Sequence, residues 1–383
     1  MRNWLLPEYV EDILPTEALQ IETMRRQVID LFRVYGYQLV MPPLLEYAES
    51  LLTGSGSDMD LQMLRVIDQL SGRMMGLRAD MTPQVARIDA HLLNSEGITR
   101  LCYANSVLHA VPSNITQTRE PLQVGAELYG HSGLASDIEV QQLMLQCLSQ
   151  AGIDKVHLNL GHVAVFRGLI KSAEVSRELE KELFLALQAK DSSTLRELCV
   201  PIVKPIRDAL LLLPELYGDK NILLEAKRQL PDYAEISVAL NELSIVEEEL
   251  RSSVDNIAFD LADLRGYHYH TGMVFAAYTY GSSNAIALGG RYDEIGKAFG
   301  RARPATGFSM DLRDLVRLVT MKSYPKAIRA PYQKNNKELI SFINKLRNSG
   351  QIVIMEFPEQ ETAYLDCDRQ IIMRDGQWVI ESV

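Results

Sequence analysis

The sequence predicts an α+β fold: a mixed sheet flanked by helices, interrupted by a helical insertion and followed by a small C-terminal α/β domain. Two observations favour this fold. Residues 100–130 read as strand, polar loop and strand, whereas residues 165–252 are rich in Leu, Glu, Lys and Ala and favour helices. We therefore expect a core domain over residues 1–325, with the insertion at about 165–252, and the small domain over residues 331–383.

The first elements of the core are predicted to be a helix, a glycine and a strand. Apolar residues recur at helical spacing over residues 17–35, and Thr16 is a candidate N-cap. Gly36 ends the helix, and a strand over residues 37–41 is stopped by two prolines. This pattern predicts a helix-to-strand corner that packs one face of the helix on a core.

The strand predicted within residues 122–129 alternates in polarity. Its aliphatic residues face one side, while Gln123, Glu127 and Tyr129 face the other. An acid and an amide on one face suit an amino-acid ligand, whose ammonium group needs an anion. A surface-exposed edge strand would show the same alternation, so the pattern alone leaves both interpretations open.

A second group of polar residues lies upstream, where Asp80 and Thr82 follow a predicted strand. Pro83 then occupies the first turn of a predicted helix, a position that suits proline. Either polar residue could serve only as the N-cap of that helix.

Several of these segments resemble the histidyl-tRNA synthetases, a class II synthetase family. Residues 77–87, LRADMTPQVAR, resemble the segment that holds the α-amino group of the substrate, and residues 265–272, RGYHYHTG, resemble the histidine-specific motif. Residues 100–130 and 304–315 resemble the second and third class II motifs. The helix–Gly–strand–Pro pattern resembles the first motif, which forms the dimer interface in that family.

This resemblance implies a class II synthetase-like core with a mixed, mainly antiparallel sheet. It also implies a histidine site, in which acids take the ammonium group, an arginine takes the carboxylate and aromatic residues surround the imidazole. The candidate histidine-binding residues are Asp80, Thr82, Gln123, Glu127, Arg265, Tyr269 and His270. His268 and His270 could also bind a metal, but no third ligand is evident in the sequence.

Two positions depart from the synthetase pattern. The family has arginines that bind the α- and γ-phosphates of ATP, and this chain has His109 and Asp314 in those places. Arg313 is adjacent to the second, but adjacent helix positions point about 100° apart. Because losing one preorganised stabiliser typically costs about 10²–10³ in rate, we expect these lost ATP-clamp positions to abolish adenylate formation.

Missing arginines together with a short C-terminal segment resemble one group of synthetase relatives, the regulatory subunits of ATP phosphoribosyltransferase. That resemblance implies a non-catalytic subunit, a homodimer within a hetero-oligomer that includes the catalytic subunit, activation of that subunit, and histidine as feedback effector. Histidine could act in the synthetase-like pocket or at the interface with the catalytic subunit. The alternatives are an active histidyl-tRNA synthetase-like enzyme and a phosphoribosyltransferase acting alone, although the sequence has no hydroxyl-rich phosphate loop after an acidic pair.

Composition narrows the class of protein further. The chain has 383 residues, of which 47% are hydrophobic, and a formal net charge of −11. The acidic balance argues against nucleic-acid binding, which needs cations to neutralise phosphates. The four cysteines form no zinc or disulfide pattern, and no signal peptide or membrane span is visible. We expect a cytoplasmic protein that binds neither nucleic acid nor membrane and has no metal or cofactor.

Overall fold

The computed structural model describes residues 4–53, 57–112, 117–267, 269–320, 325–358 and 366–383. The chain divides into two compact units, Met1–Val319 and Thr320–Val383. In the described part of the chain, no helix is both long enough and apolar enough to cross a membrane.

The first unit contains three groups of elements. In chain order, its strands are β1 (Gln38–Leu39), β2 (Leu45–Tyr47), β3 (Leu64–Ile67), β4 (Met74–Leu77), β5 (Thr99–Ser106), β6 (Leu122–Tyr129), β7 (His157–His162), β8 (Tyr217–Gly218), β9 (Asn256–Asp260), β10 (Met273–Tyr278), β11 (Ala287–Arg291) and β12 (Ala305–Asp311). Its helices are α1 (Pro15–Val34), α2 (Ala48–Leu52), α3 (Ser57–Gln62), α4 (Thr82–Arg87), α5 (Leu134–Ala151), α6 (Val163–Ala173), α7 (Arg177–Gln188), α8 (Ser192–Leu198), α9 (Lys204–Leu212), α10 (Asn221–Gln229), α11 (Ala234–Leu250) and α12 (Leu312–Leu318). A π-helical turn (Ile88–Leu93) and three short 3₁₀ turns (Leu213–Glu215, Arg251–Ser253 and Ile295–Phe299) complete it.

Among the described residues, nine strands form the central sheet in the order β1-β5-β6-β12-β11-β10-β7-β9-β8. The β1–β5 and β7–β9 pairs are parallel, and the other neighbours are antiparallel. A separate three-stranded sheet has the order β2-β4-β3. The predicted α+β fold with a mixed, mainly antiparallel sheet is confirmed.

The helix α1 follows the predicted apolar pattern, with Ile21, Met24, Val28 and Phe32 buried. Its predicted N-cap is wrong. The helix begins one residue before Thr16, at a proline that suits the first helical position because its missing N–H would have no partner there.

The strand β6 lies between β5 and β12, so the interpretation as an exposed edge strand is wrong. Val124, Ala126 and Leu128 contribute to the large core between the sheet and its helices. The opposite face is not a solvent-exposed floor either, because Tyr129 belongs to a second buried cluster that includes Val85 of α4. Both faces of this central strand are therefore packed.

The helices α6 to α11 lie between β7 and β9 in the chain, where the helical insertion was predicted. Their apolar residues, such as Leu183, Leu210 and Leu243, belong to the same core as the sheet. The insertion is therefore packed onto the sheet.

The second unit contains β13 (Ala327–Ala330), α13 (Lys337–Asn348), β14 (Val353–Met355), β15 (Cys367–Arg374) and β16 (Gln377–Ser382). Its sheet has the order β14-β13-β15-β16, with β13 parallel to both of its neighbours. Leu339 and Ile343 of α13 pack on Ile328 and Ile371. Asp375 and Gly376 both have positive φ values, as a tight hairpin turn between β15 and β16 requires.

The segment around α1 and β1 leaves a group of apolar side chains exposed: Leu19, Val34, Tyr35, Leu39 and Met41. We expect this face to pair two copies of the chain, because burying such side chains is favourable. Sedimentation at micromolar concentration should give a homodimer, and Leu39→Lys should shift it to monomer. Leu224→Lys, at a residue of α10 that is also exposed, is the matched control. A parent chain that sediments as a monomer would contradict this prediction.

Candidate functional site

The candidate histidine-binding residues come from three parts of the first unit. Asp80 precedes α4 and Thr82 is its first residue, while Gln123 and Glu127 lie on β6. Tyr269 and the adjacent His270 lie in the connection between β9 and β10. The structure brings these six residues to one region, and the described residues around Tyr269 form turns.

Asp80 is the centre of a hydrogen-bond network at the start of α4. Its Oδ1 accepts from the side-chain amide of Gln123 at 2.7 Å and from the backbone N–H of Thr82 at 3.1 Å. Gln123 Oε1 accepts in turn from the backbone N–H of Met81 at 2.9 Å. Both polar atoms of the Gln123 amide are thus engaged, one with Asp80 and one with the backbone of Met81, and the start of the helix is anchored to β6.

Glu127 is 1% exposed and receives hydrogen bonds from hydroxyl groups. Tyr103 donates to Oε1 at 2.9 Å, Thr82 Oγ1 lies 3.2 Å from the same oxygen, and Tyr292 donates to Oε2. Burial is the main cause that raises the pKa of Glu127 to about 8, and the nearby Asp80 acts in the same direction. An ammonium group between the two acids would therefore offset the cost of ionising Glu127 in a buried place beside the charge of Asp80.

Two glycines make room for this arrangement. Gly125 lies opposite Tyr103 in the β5–β6 pair, and Gly307 lies opposite Glu127 in the β6–β12 pair. A Cβ atom at Gly125 would overlap the Tyr103 hydroxyl, and one at Gly307 would overlap the Glu127 carboxylate. Both positions need glycine so that a neighbouring side chain can cross the strand.

The acids open onto a cavity of about 250 Å³. Its polar end is formed by Asp80, Thr82 and Glu127, and its other walls carry rings and glycine-rich backbone. The remaining lining residues are Pro83, Phe184, Gly266, Tyr267, Tyr269, His270, Leu288, Gly289, Gly290, Tyr292, Gly307, Phe308 and Ser309. A polar end beside an aromatic end suits an amino acid with a planar side chain.

His270 lies at the aromatic end of this cavity. Burial lowers its pKa to about 4, and its Nδ1 lies 3.2 Å from the backbone oxygen of Arg265. The ring is therefore neutral near neutral pH. His268 lies outside the described residues, and no group of His, Cys, Asp or Glu that could hold a metal ion occurs among the described ones.

Two candidate residues are not part of this lining: Gln123, which lines a second, adjoining cavity, and Arg265. The guanidinium of Arg265 pairs with the carboxylate of Asp263, which is 6% exposed at its side chain, and also donates to the Tyr278 hydroxyl at 3.2 Å. Its proposed contact with a ligand carboxylate would therefore require exchange with Asp263.

Sequence reasoning missed Tyr103, Tyr292 and Phe184. The two tyrosines donate to Glu127 from positions 24 and 165 residues away in the chain. Gly289 and Gly290 also line the cavity from within β11, where the absence of side chains leaves it space. A glycine inside a strand can mark a place where a ligand or another backbone approaches closely. These two glycines were therefore a sequence signal for the cavity.

A second cavity of about 190 Å³ adjoins the first, since Leu288 and Ser309 line both. Its walls include His109 and Asp314, the residues that the sequence predicted to be lost ATP-clamp positions. His109 Nε2 lies 3.0 Å from the Ala79 carbonyl, and burial lowers the pKa of its ring. Asp314 accepts from the Gln117 side-chain amide at 3.0 Å.

The electrostatics of this second cavity oppose phosphate binding. Among its described lining residues there is no lysine or arginine, whereas Asp311 and Asp314 both belong to it. Burial first, and then the charge of Asp314, raise the pKa of Asp311 to about 6. Arg313 does not replace a clamp, because its guanidinium is buried against the carbonyl of Glu120 and the carboxylate of Glu11.

Comparisons with known proteins identify the family. Residues 9–315 match the family described as histidyl-tRNA synthetase, and residues 325–381 match the ATP phosphoribosyltransferase subunit HisZ C-terminal domain. A protein of *Nitrosospira multiformis* is 63% identical over 99% of this chain and 98% of its own length, and one of *Nitrosomonas europaea* is 59% identical over 100% of both. Both bear the name ATP phosphoribosyltransferase regulatory subunit.

This chain belongs to the ATP phosphoribosyltransferase regulatory subunit family.

Solved structures place this regulatory-subunit family on the synthetase fold. An ATP phosphoribosyltransferase regulatory subunit/histidyl-tRNA synthetase from *Bacillus halodurans* C matches with a TM-score of 0.83 and 26% identity, over 94% of this chain and 95% of that one. Histidyl-tRNA synthetase from *Nostoc* sp. PCC 7120 shares the fold, with a TM-score of 0.78 and 18% identity over 100% and 97% of the two chains. The predicted resemblance to the regulatory subunits is confirmed, and these findings favour it over the synthetase alternative.

Proposed function

We propose that this chain is a non-catalytic regulatory subunit that assembles with the catalytic subunit of ATP phosphoribosyltransferase, activates it and transmits feedback inhibition by histidine. One observation carries the proposal: two adjacent cavities that differ in chemistry. The first combines the buried Glu127 and the half-buried Asp80 with aromatic rings, and the second has carboxylates where a nucleotide would need cations.

The first cavity accounts for histidine recognition. Asp80 and Glu127 provide anions for the ammonium group, and Thr82 provides a hydroxyl between them. Tyr269 and His270 line the end that would receive the imidazole. Arg265 takes the carboxylate only if it releases Asp263, so we assign most of the affinity to the acids and the rings.

The second cavity accounts for the absence of catalysis. Adenylate formation moves negative charge at phosphorus, and preorganised cations stabilise that charge. Here Asp314 would repel the triphosphate and Arg313 is held by Glu11 and Glu120. The chain can therefore bind an amino acid without activating it.

We expect the pure chain to show no histidine-dependent exchange of pyrophosphate into ATP. Because both predicted clamp positions lack an arginine, we expect the exchange rate to be about 10⁴-fold or more below that of an active synthetase, at about 10²–10³ for each missing stabiliser. An active histidyl-tRNA synthetase in the same assay is the positive control, and catalytic-subunit activity with and without this chain tests activation. Measurable exchange by the pure chain would contradict the proposal, and so would a catalytic subunit whose activity does not change.

A further inference from the structure

The helical insertion contributes to the amino-acid cavity through α7. Ser176 accepts from the backbone N–H of Leu179 and so caps this helix, which buries Leu183 and Leu187 in the core. Phe184, on the same helix, lines the cavity and is 6% exposed. A residue remote in sequence from the synthetase-like motifs thus forms one wall of the proposed effector site.

Tyr267, another residue that lines the cavity, packs against the same helix. The Tyr267 ring stacks on Phe184 with centroids 5.3 Å apart and planes at 25°, and it meets the edge of Phe166 at 5.1 Å. Its hydroxyl donates to Glu180 Oε1 at 2.7 Å. Because Glu180 and Phe184 are four residues apart, they lie on one face of α7 and hold both ends of the tyrosine side chain.

The neighbouring helix α6 holds the backbone of the same connection. Arg167 donates to the carbonyl of Tyr267 at 3.0 Å and to the carbonyl of His270 at 2.7 Å. Its guanidinium also lies 5.1 Å from the Tyr267 ring centroid. The residues between these two carbonyls include Tyr269, so two insertion helices hold the segment that forms the aromatic end of the cavity.

We propose that the helical insertion senses occupancy of the amino-acid cavity, with Phe184 as a specificity wall against the ligand side chain and Glu180 and Arg167 as positioning residues for the segment from Tyr267 to His270. The inference rests on the proposed histidine binding. A ligand that packs against these rings stabilises the segment, and the segment contacts α6 and α7 directly. Binding and the stability of the two helices are therefore thermodynamically coupled, and the coupling acts in both directions.

The test uses the full chain, with calorimetry for histidine affinity and hydrogen exchange for the backbone of α7. Phe184→Ala should weaken histidine binding about tenfold or more, because an aromatic contact adds to the area that it buries. Tyr267→Phe and Glu180→Ala should each weaken it several-fold and together no more than either alone, since both remove the same hydrogen bond. Histidine should slow exchange in α7 of the parent chain.

Leu185→Ala is the matched control, since this neighbour on α7 is 50% exposed and should leave affinity unchanged. Phe184→Leu keeps an apolar side chain of similar bulk if the alanine variant fails to fold, and it should still weaken binding. A merely structural role would lower the melting temperature of these variants without reducing the rise that histidine causes.

The outcomes separate this inference from the proposed function. A parent chain that does not bind histidine overturns both. If the parent binds histidine and requires Glu127, but affinity is unchanged in Phe184→Leu and Tyr267→Phe, only the role of the insertion is overturned. If histidine binds but does not slow hydrogen exchange in the backbone of α7, the role of the insertion is overturned as well.

Discussion

Replacing Glu127 with glutamine should abolish histidine binding at concentrations that saturate the parent chain. The variant keeps the shape of the side chain and an oxygen that accepts from Tyr103, but it removes the carboxyl group that would ionise to pair with the ammonium group. Losing one partner of a buried charge pair costs about 2–5 kcal/mol, which is about 30-fold or more in affinity. Calorimetry on the free chain measures this effect, and the activity of its complex with the catalytic subunit should lose its sensitivity to histidine.

Although Glu127→Gln should bind histidine less tightly, its folded state should be more stable than that of the parent chain. Burial raises the pKa of Glu127 to about 8 from an ordinary value of 4.5. Between these two pH values the folded chain holds a proton that the unfolded chain has released, so the parent loses stability as pH rises. Glutamine does not titrate, so the variant should gain stability relative to the parent from pH 5 to pH 8.

The control for both measurements is Glu225→Gln on α10, where the carboxylate accepts from the side-chain amide of Gln229 in an exposed hydrogen bond. It should bind histidine like the parent. If Glu127→Gln also binds like the parent and its complex stays histidine-sensitive, histidine acts elsewhere, and the interface with the catalytic subunit becomes the preferred location.

Arg303→Ala should destabilise the first unit by about 3–5 kcal/mol, the range expected when one partner of a buried ion pair is removed. Arg303 is 7% exposed and donates to both carboxylate oxygens of Asp89, at 2.8 and 3.0 Å. It also donates to the backbone carbonyl of Gly97. The alanine variant would leave Asp89, which is 1% exposed, as a buried charge without its partner. Chemical denaturation followed by circular dichroism measures the change.

The matched control is Arg301→Ala, two residues earlier in the chain. Arg301 donates to Asn94 Oδ1 in an exposed hydrogen bond, so its loss should change stability by no more than about 0.5 kcal/mol. Arg303→Ala combined with Asp89→Ala should cost less than the sum of the two single changes, because the pair is removed together. Equal stability of the Arg303 and Arg301 variants would show that the ion pair adds nothing.

Local sequence patterns were sufficient for much of the fold. Alternating polarity predicted β6, and the apolar spacing of α1 predicted its buried face. These features depend on residues a few positions apart, which is why they can be read without tertiary information. The sequence also predicted, from its resemblance to the synthetases, that His109 and Asp314 stand in place of two arginines.

Only the tertiary structure decided how the site is built. Glu127 is buried because α4 and the segment around Tyr292 cover its strand, and its hydroxyl donors come from distant parts of the chain. Arg265 was expected to face the ligand, but an acid two residues away competes for its guanidinium. Phe184 reaches the cavity only because the insertion packs onto the sheet. Such contacts depend on which elements become neighbours, and strand pairing and helix packing determine this independently of the local pattern.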